Sequence, residues 1–180
     1  NIYNNYISGK AKPIKNNIQV SELDIYPNYI GLYPPLFGNK KVIYYENYTK
    51  NIIEINPNEV VYLKYSNSMQ YPKIDVILNQ DRNEIGHAVF MGNLPKNMKV
   101  IISSANPTSI NRIKISKYNE LLLTGCVSFI ETKFNSNSII FNNLPCEDGV
   151  NILNSSGHLK HITGNSTKFD GLDIDFSNLS

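Results

Sequence analysis

Tryptophan is absent from this 180-residue chain, and cysteine occurs only twice. Two thiols can form at most one bridge, so the fold is no disulfide-dense scaffold and must rest on an apolar core, for which 41% apolar residues suffice. Basic runs are missing as well: 17 Lys and Arg stand against 15 Asp and Glu, and the longest basic cluster is the pair Lys40-Lys41. No nucleic acid is expected as a partner. Long hydrophobic runs are missing too. The longest, Leu121 to Ile130, is interrupted by Thr124, Gly125 and Ser128; it falls short of the roughly 20 residues of a membrane helix, so no membrane span is expected. Helix signals are equally scarce, since the best window, Tyr118 to Leu123, is short and uncapped.

What is present is a repeat. Cys146-Glu147-Asp148-Gly149-Val150-Asn151-Ile152 is echoed by Lys168-Phe169-Asp170-Gly171-Leu172-Asp173-Ile174, an offset of 22 residues that also carries Ile140 onto Ile162 and Asn143 onto Asn165. A fixed period in the twenties is a solenoid signal. Each unit is an Asp-Gly turn followed by alternation, with Val150 and Ile152, then Leu172, Ile174 and Phe176, on one face and Asn151, then Asp173 and Asp175, on the other. Strand-and-turn repeats without a helix must stack strand on strand to satisfy their backbone, which predicts a coil of parallel strands.

The earlier part of the chain reads differently. Residues 1–37 form an irregular N-terminal arm, polar and Tyr-rich and broken by Pro27, Pro34 and Pro35. Residues 38–108 carry short β-branched and aromatic runs at roughly ten-residue spacing, the cadence of an antiparallel β-sandwich. Eleven of the twelve tyrosines, Tyr3 through Tyr71, precede a candidate linker at Ser103 to Asn111, and only Tyr118 follows it. The expectation is thus all-β: an N-terminal antiparallel β-sandwich followed, over 109–180, by the first coils of a parallel β-helix. The chain opens on Asn1 without a leader and stops at Ser180 directly after a repeat, so it is expected to be the N-terminal part of something longer.

Over residues 110–180 the repeated Asp-Gly-apolar run with its Asn-rich turn resembles right-handed parallel β-helix proteins of the pectin-lyase-like class. That class holds polysaccharide lyases, hydrolases and epimerases beside tail-spikes and non-catalytic surface proteins, so membership decides no activity. The resemblance implies that Asn143 and Asn165 stack as an asparagine ladder. The Asn-Thr-Asp-Gly motif of polygalacturonases is not matched by Lys168-Phe169-Asp170-Gly171, and no catalytic residue is carried over.

Under the 22-residue register Cys146 lies about four positions from the level of Cys126, roughly 13 Å of extended chain, so both are expected to be free thiols. The same register stacks Asp148 on Asp170 and sets Asp173 and Asp175 on one strand face, a candidate binding site for a cation, calcium, or for a substrate; the competing reading is that Asp148 and Asp170 are ordinary turn aspartates. No metal ligand set is assigned. His158 and His161 are a weak further signal, and turn or surface histidines are the bland reading. Tyr44 and Tyr62 are candidate stacking platforms for sugar rings, with tyrosines that fill and edge a sheet as the alternative. The functional expectation is a non-catalytic structural or recognition part of an extracellular or cell-surface fibre-type protein. It would bind polysaccharide or glycoprotein glycans or partner protein chains, with self-association into a homo-oligomer left open. The rival is the leading part of a polysaccharide-processing enzyme.

Overall fold

The computed structural model describes residues 41–66, 72–81, 85–105, 125–167 and 170–180. They form eleven strands: β1 (Lys41–Glu46), β2 (Ile52–Ile55), β3 (Glu59–Tyr65), β4 (Lys73–Leu78), β5 (His87–Asn93), β6 (Lys99–Ser104), β7 (Gly125–Asn142), β8 (Asp148–Leu153), β9 (Ser156–Asn165), β10 (Asp170–Asp175) and β11 (Asn178–Leu179). Every strand pairs in parallel, in two ladders: β1-β3-β5-β7-β8-β10 and β2-β4-β6-β7-β9-β11. Among the described residues there is no helix, hence none long and apolar enough to cross a membrane.

The strand 125–142 belongs to both ladders because it bends twice, at Glu131 (φ 46°) and at Ser136 (φ 58°), where the register with its neighbours shifts. The first bend is copied in the next two coils by Asn154 (φ 47°) and Phe176 (φ 50°), and the residue after each is a hydroxyl side chain: Thr132, Ser155 and Ser177. These form a ladder of their own. Ser155 Oγ accepts the Thr132 N–H at 3.0 Å, and Ser177 Oγ accepts the Ser155 N–H at 3.0 Å. The Thr132 hydroxyl donates to the Phe90 carbonyl at 3.0 Å, so the corner's backbone groups are satisfied where the strand ladder breaks. At the second bend Asn137, fully buried, donates to the carbonyls of Pro95 (2.8 Å) and Met98 (3.3 Å) and accepts from the Asn135 N–H (2.6 Å).

The interior is a column of stacked side chains. Leu63, Phe90, Phe129 and Ile152 share one register row, and Val61, Ala88, Val127 and Val150 the next, all at most 1% exposed. Aromatic rings run along the axis: Tyr65 on Phe90 (centroids 6.4 Å), Phe90 on Phe129 (4.9 Å), and Phe129 against Phe134 (5.5 Å). Close packing also explains Gly164, where a Cβ would lie 2.1 Å from the Phe141 ring.

Three expectations are corrected. The strands of residues 41–104 are parallel, where a sandwich would make them antiparallel. Strand cadence gives length and spacing but not direction, and here consecutive strands turn a corner into the other ladder instead of folding back as hairpins. The coil continues from β5 and β6 onto β7. Ser103 and Ser104 are part of β6, whereas residues 106–111 of the candidate linker, and the 1–37 arm, lie outside the described residues. The second correction concerns register. The 22-residue offset holds from β8 to β10 (Asp148↔Asp170, Ile152↔Ile174), but β7 to β9 takes 23 residues, pairing Ile139 with Ile162 and Asn142 with Asn165. Ile139 is consequently the inward residue, and Asn143, at φ 56°, is a turn residue whose N–H donates to the Asn165 carbonyl.

The third correction is chemical: Cys126 and Cys146 form a disulfide, with Cα atoms 5.3 Å apart. The chain between Asn142 and Asp148 is a turn and not an extended strand, so the distance along the chain overstates the distance through space, and Cys146 folds back into the same buried cluster as Cys126.

Candidate functional site

Two surfaces of the coil gather polar chemistry, and they carry opposite charge. The first is the acidic β8–β10 ladder, whose outward side carries Asp173 and Asp175. Asp148 and Asp170 are register partners, as the repeat predicts, with Asp148 buried and Asp170 exposed. Asp173 lies beside Asn151 and Asp175 beside Leu153. Partial burial, then the negative charges of Asp175 and Asp148, and a hydrogen bond shared with Asp175 hold the Asp173 carboxyl above its ordinary range, against an opposing backbone N–H at Ile174. Among the described residues no group of three or more His, Cys, Asp or Glu is placed to hold a metal ion.

The sign of that shift gives a prediction. A carboxyl whose folded pKa is raised holds its proton more tightly in the fold than in the unfolded chain, so its contribution to stability is fully present below its ordinary value of 3.8. It is lost as pH rises through the folded pKa. Asp173→Asn is therefore expected to raise Tm at pH 7, with the gain shrinking to nothing near pH 3; equal gains at both pH values would show that Asp175 and Asp148 exert no pressure on it.

On the same outward side, Tyr44, Tyr62, Val89, Ser128, Asn151 and Asp173 form one register row. It is apolar at the N-terminal coils and polar at the last. Tyr62 is 1% exposed, in a cluster with Val60, Val89, Met91 and Ile130, and burial pushes its phenol far up. It presents no ring face to solvent. Tyr44 is half-buried against the same cluster. Tyr45 and Tyr48 form a tilted pair at 5.0 Å, and the Tyr48 hydroxyl donates to the Ile52 carbonyl.

The second surface was not singled out by the sequence reading. Where β6, β7 and β9 run side by side, their outward residues make rows: Lys73–Lys99–Ser138–His161, Ile101–Ile140–Thr163 and Ser103–Asn142–Asn165. Beyond the Ser136 bend the rows are Asn135–His158 and Lys133–Ser156. Lys99, Lys133, Asn135, His158, His161, Thr163 and Asn165 are exposed. His158 Nδ1 meets the Ser180 carbonyl at 2.9 Å, and His161 Nε2 meets the Thr163 hydroxyl. The histidines thus sit on this surface and not with Asp170. His87 stands elsewhere, its Nδ1 at 3.3 Å from the Gly125 carbonyl.

No protein family, curated protein or solved structure matches this chain.

Function must then be argued from surface chemistry. The signal for the second surface was in the sequence, as alternation in Ser138-Ile139-Ile140-Phe141-Asn142 and His161-Ile162-Thr163-Gly164-Asn165. It pointed nowhere until a 23-residue register aligned the two segments. A cavity of about 240 Å³ opens beside it at the last coils, lined by Phe141, Ile162, Leu172 and Thr167 among others.

Proposed function

We propose that this chain is a non-catalytic structural and recognition part of an extracellular, surface or fibre-type β-helix protein of pectin-lyase-like kind, and that it binds glycans. The observation that carries this reading is the outward ladder of hydrogen-bonding side chains, half-buried Ser138 and Asn142 beside exposed His161, Thr163 and Asn165, set in register on parallel strands. Rungs repeat at about 4.8 Å, which offers an extended polymer the same donors and acceptors again and again. Half-buried Ile101 and Ile140 between them give the apolar faces of sugar rings a place to rest. The disulfide supports an oxidising, extracellular location. Affinity electrophoresis in gels holding neutral or acidic polysaccharides tests the reading. Retardation by at least one polymer, without release of new chain ends, and a loss of about tenfold in affinity for Thr163→Ala/Asn165→Ala are expected, each position removing hydrogen bonds of ~0.5–1.5 kcal/mol. Free migration through every gel would defeat it.

One observation favours a second reading, the leading part of a polysaccharide-processing enzyme: Asp173, held toward its protonated form by partial burial and then by the charges of Asp175 and Asp148 beside it. Cleavage of a polymer by the wild type that Asp173→Asn abolishes would decide for that reading.

A further inference from the structure

Charge is unevenly distributed over the last three coils: one ridge carries cations, with carboxylates only at its borders, Glu131 before Lys133 and Asp75 beside Ile101 in an ion pair with Lys73. Residues 95–105, 132–142, 156–167 and 178–180, which make the outward ridge along the Ser136 bend, contain Lys96, Lys99, Lys133, Lys160, His158 and His161 and no Asp or Glu at all. Of the carboxylates of the same coils, Asp148, Asp170, Asp173 and Asp175 lie on the β8–β10 ladder and Glu147 directly before it, while Glu131 stands at the first bend of β7, on the border of the ridge. The four lysines are exposed, and among the described residues the ion pairs are Lys41–Glu59 and Lys73–Asp75, so none of the four is engaged in one. Exposed lysines pack against nothing, and like charges crowded on one ridge repel; interspersed signs would serve folding better.

The geometry points to an anionic glycan as the ligand: we propose that the acid-free ridge formed by Lys96, Lys99, Lys133 and Lys160 with His158 and His161 binds a polysaccharide carrying carboxylate or sulfate groups. This rests on the glycan-recognition reading and specifies its ligand. Cations on neighbouring strands face a polymer of regularly repeated negative groups, which is charge complementarity along a line. The ridge carries no outward aromatic, the residue on which neutral sugar rings and nucleic-acid bases stack. The disulfide fits an oxidising compartment and argues against the cytosol and nucleus, where nucleic acids are the competing polyanions.

The test titrates the full chain, disulfide intact, against dextran sulfate, polygalacturonate, unmodified dextran and single-stranded polythymidylate. At low salt at least one of the two anionic glycans should bind and dextran should not. Polygalacturonate alone would identify carboxylates, dextran sulfate alone sulfates, and both the shared charge. The variant Lys99→Glu/Lys133→Glu/Lys160→Glu should weaken binding by about tenfold or more and flatten its salt dependence, while Lys50→Glu, exposed but off the ridge, should leave it within about twofold. Undiminished binding by the triple variant, at unchanged Tm, overturns the assignment of the ridge. Equal binding of dextran overturns the anionic specificity but leaves glycan recognition standing, and binding of polythymidylate as tight as that of either glycan overturns the glycan class. No binding to any polymer removes both readings.

Discussion

Phe129→Ala is expected to destabilise the protein by about 3–5 kcal/mol, a large share of the roughly 5–15 kcal/mol that holds a domain together. Phe129 is fully buried and stands in the axial column between Phe90 at 4.9 Å and Phe134 at 5.5 Å. Its loss leaves a ring-sized void at the bend of β7, the strand that carries both ladders across the middle of the coil. Neighbours cannot collapse into that void, because Thr132 and Ser155 pin the adjacent corner to the Phe90 and Phe129 carbonyls. Solenoids transmit stability between adjacent repeats, so hydrogen exchange should quicken first in β5, β7 and β8. Tyr45→Ala is the matched control: Tyr45 is 38% exposed on the first coil, and its truncation should cost about 1 kcal/mol or less. Equal denaturant midpoints for the two variants would mean that the aromatic column does not carry the core.

Breaking the Cys126–Cys146 bridge is the second large effect. The closed loop spans 20 residues of sequence, and releasing it returns chain entropy to the unfolded state worth about 3 kcal/mol. The Cys126→Ala/Cys146→Ala variant, which leaves two small apolar groups at buried positions and no unpaired thiol, should show this loss in denaturant unfolding. Reductant should lower the wild-type midpoint by a similar amount and leave that of the variant unchanged. The direct check is a count of thiols in the unreduced, unfolded protein, expected to be zero; two reactive thiols would restore the sequence-based expectation and remove the bridge.

The legible part of the fold was local. Alternation in Val150-Asn151-Ile152 and Leu172-Asp173-Ile174 named strands, and the Asp-Gly echo named a parallel pair, Asp148 with Asp170, that the structure contains; Phe176, expected on the inward face, is instead the left-handed corner residue, 89% exposed. The same reasoning applied to residues 41–104 produced correct strands in the wrong arrangement, because a run such as Ile52 to Ile55 reads the same whichever way its neighbour points. The site was half legible. Asp173 and Asp175 were picked out and do interact, but Tyr62, offered as a stacking platform with sheet filling as the alternative, is 1% exposed within a buried cluster on the outer side of the sheet, as the alternative has it.

By itself, then, the sequence determined that this protein is built of strands and turns, that it repeats, and that its last coils stack in parallel. These follow from side-chain period and backbone satisfaction, which act over a few residues. Only the tertiary structure decided that the coil runs back to Lys41, that Cys126 meets Cys146, and that Lys99, Lys133, Lys160 and two histidines share one ridge free of acids. Each depends on a bend whose angle is set by contacts between coils. Left-handed residues at Glu131, Ser136 and Asn143, held by hydroxyl, amide and carbonyl partners from neighbouring coils or across the bend, turn distance along the chain into proximity in space.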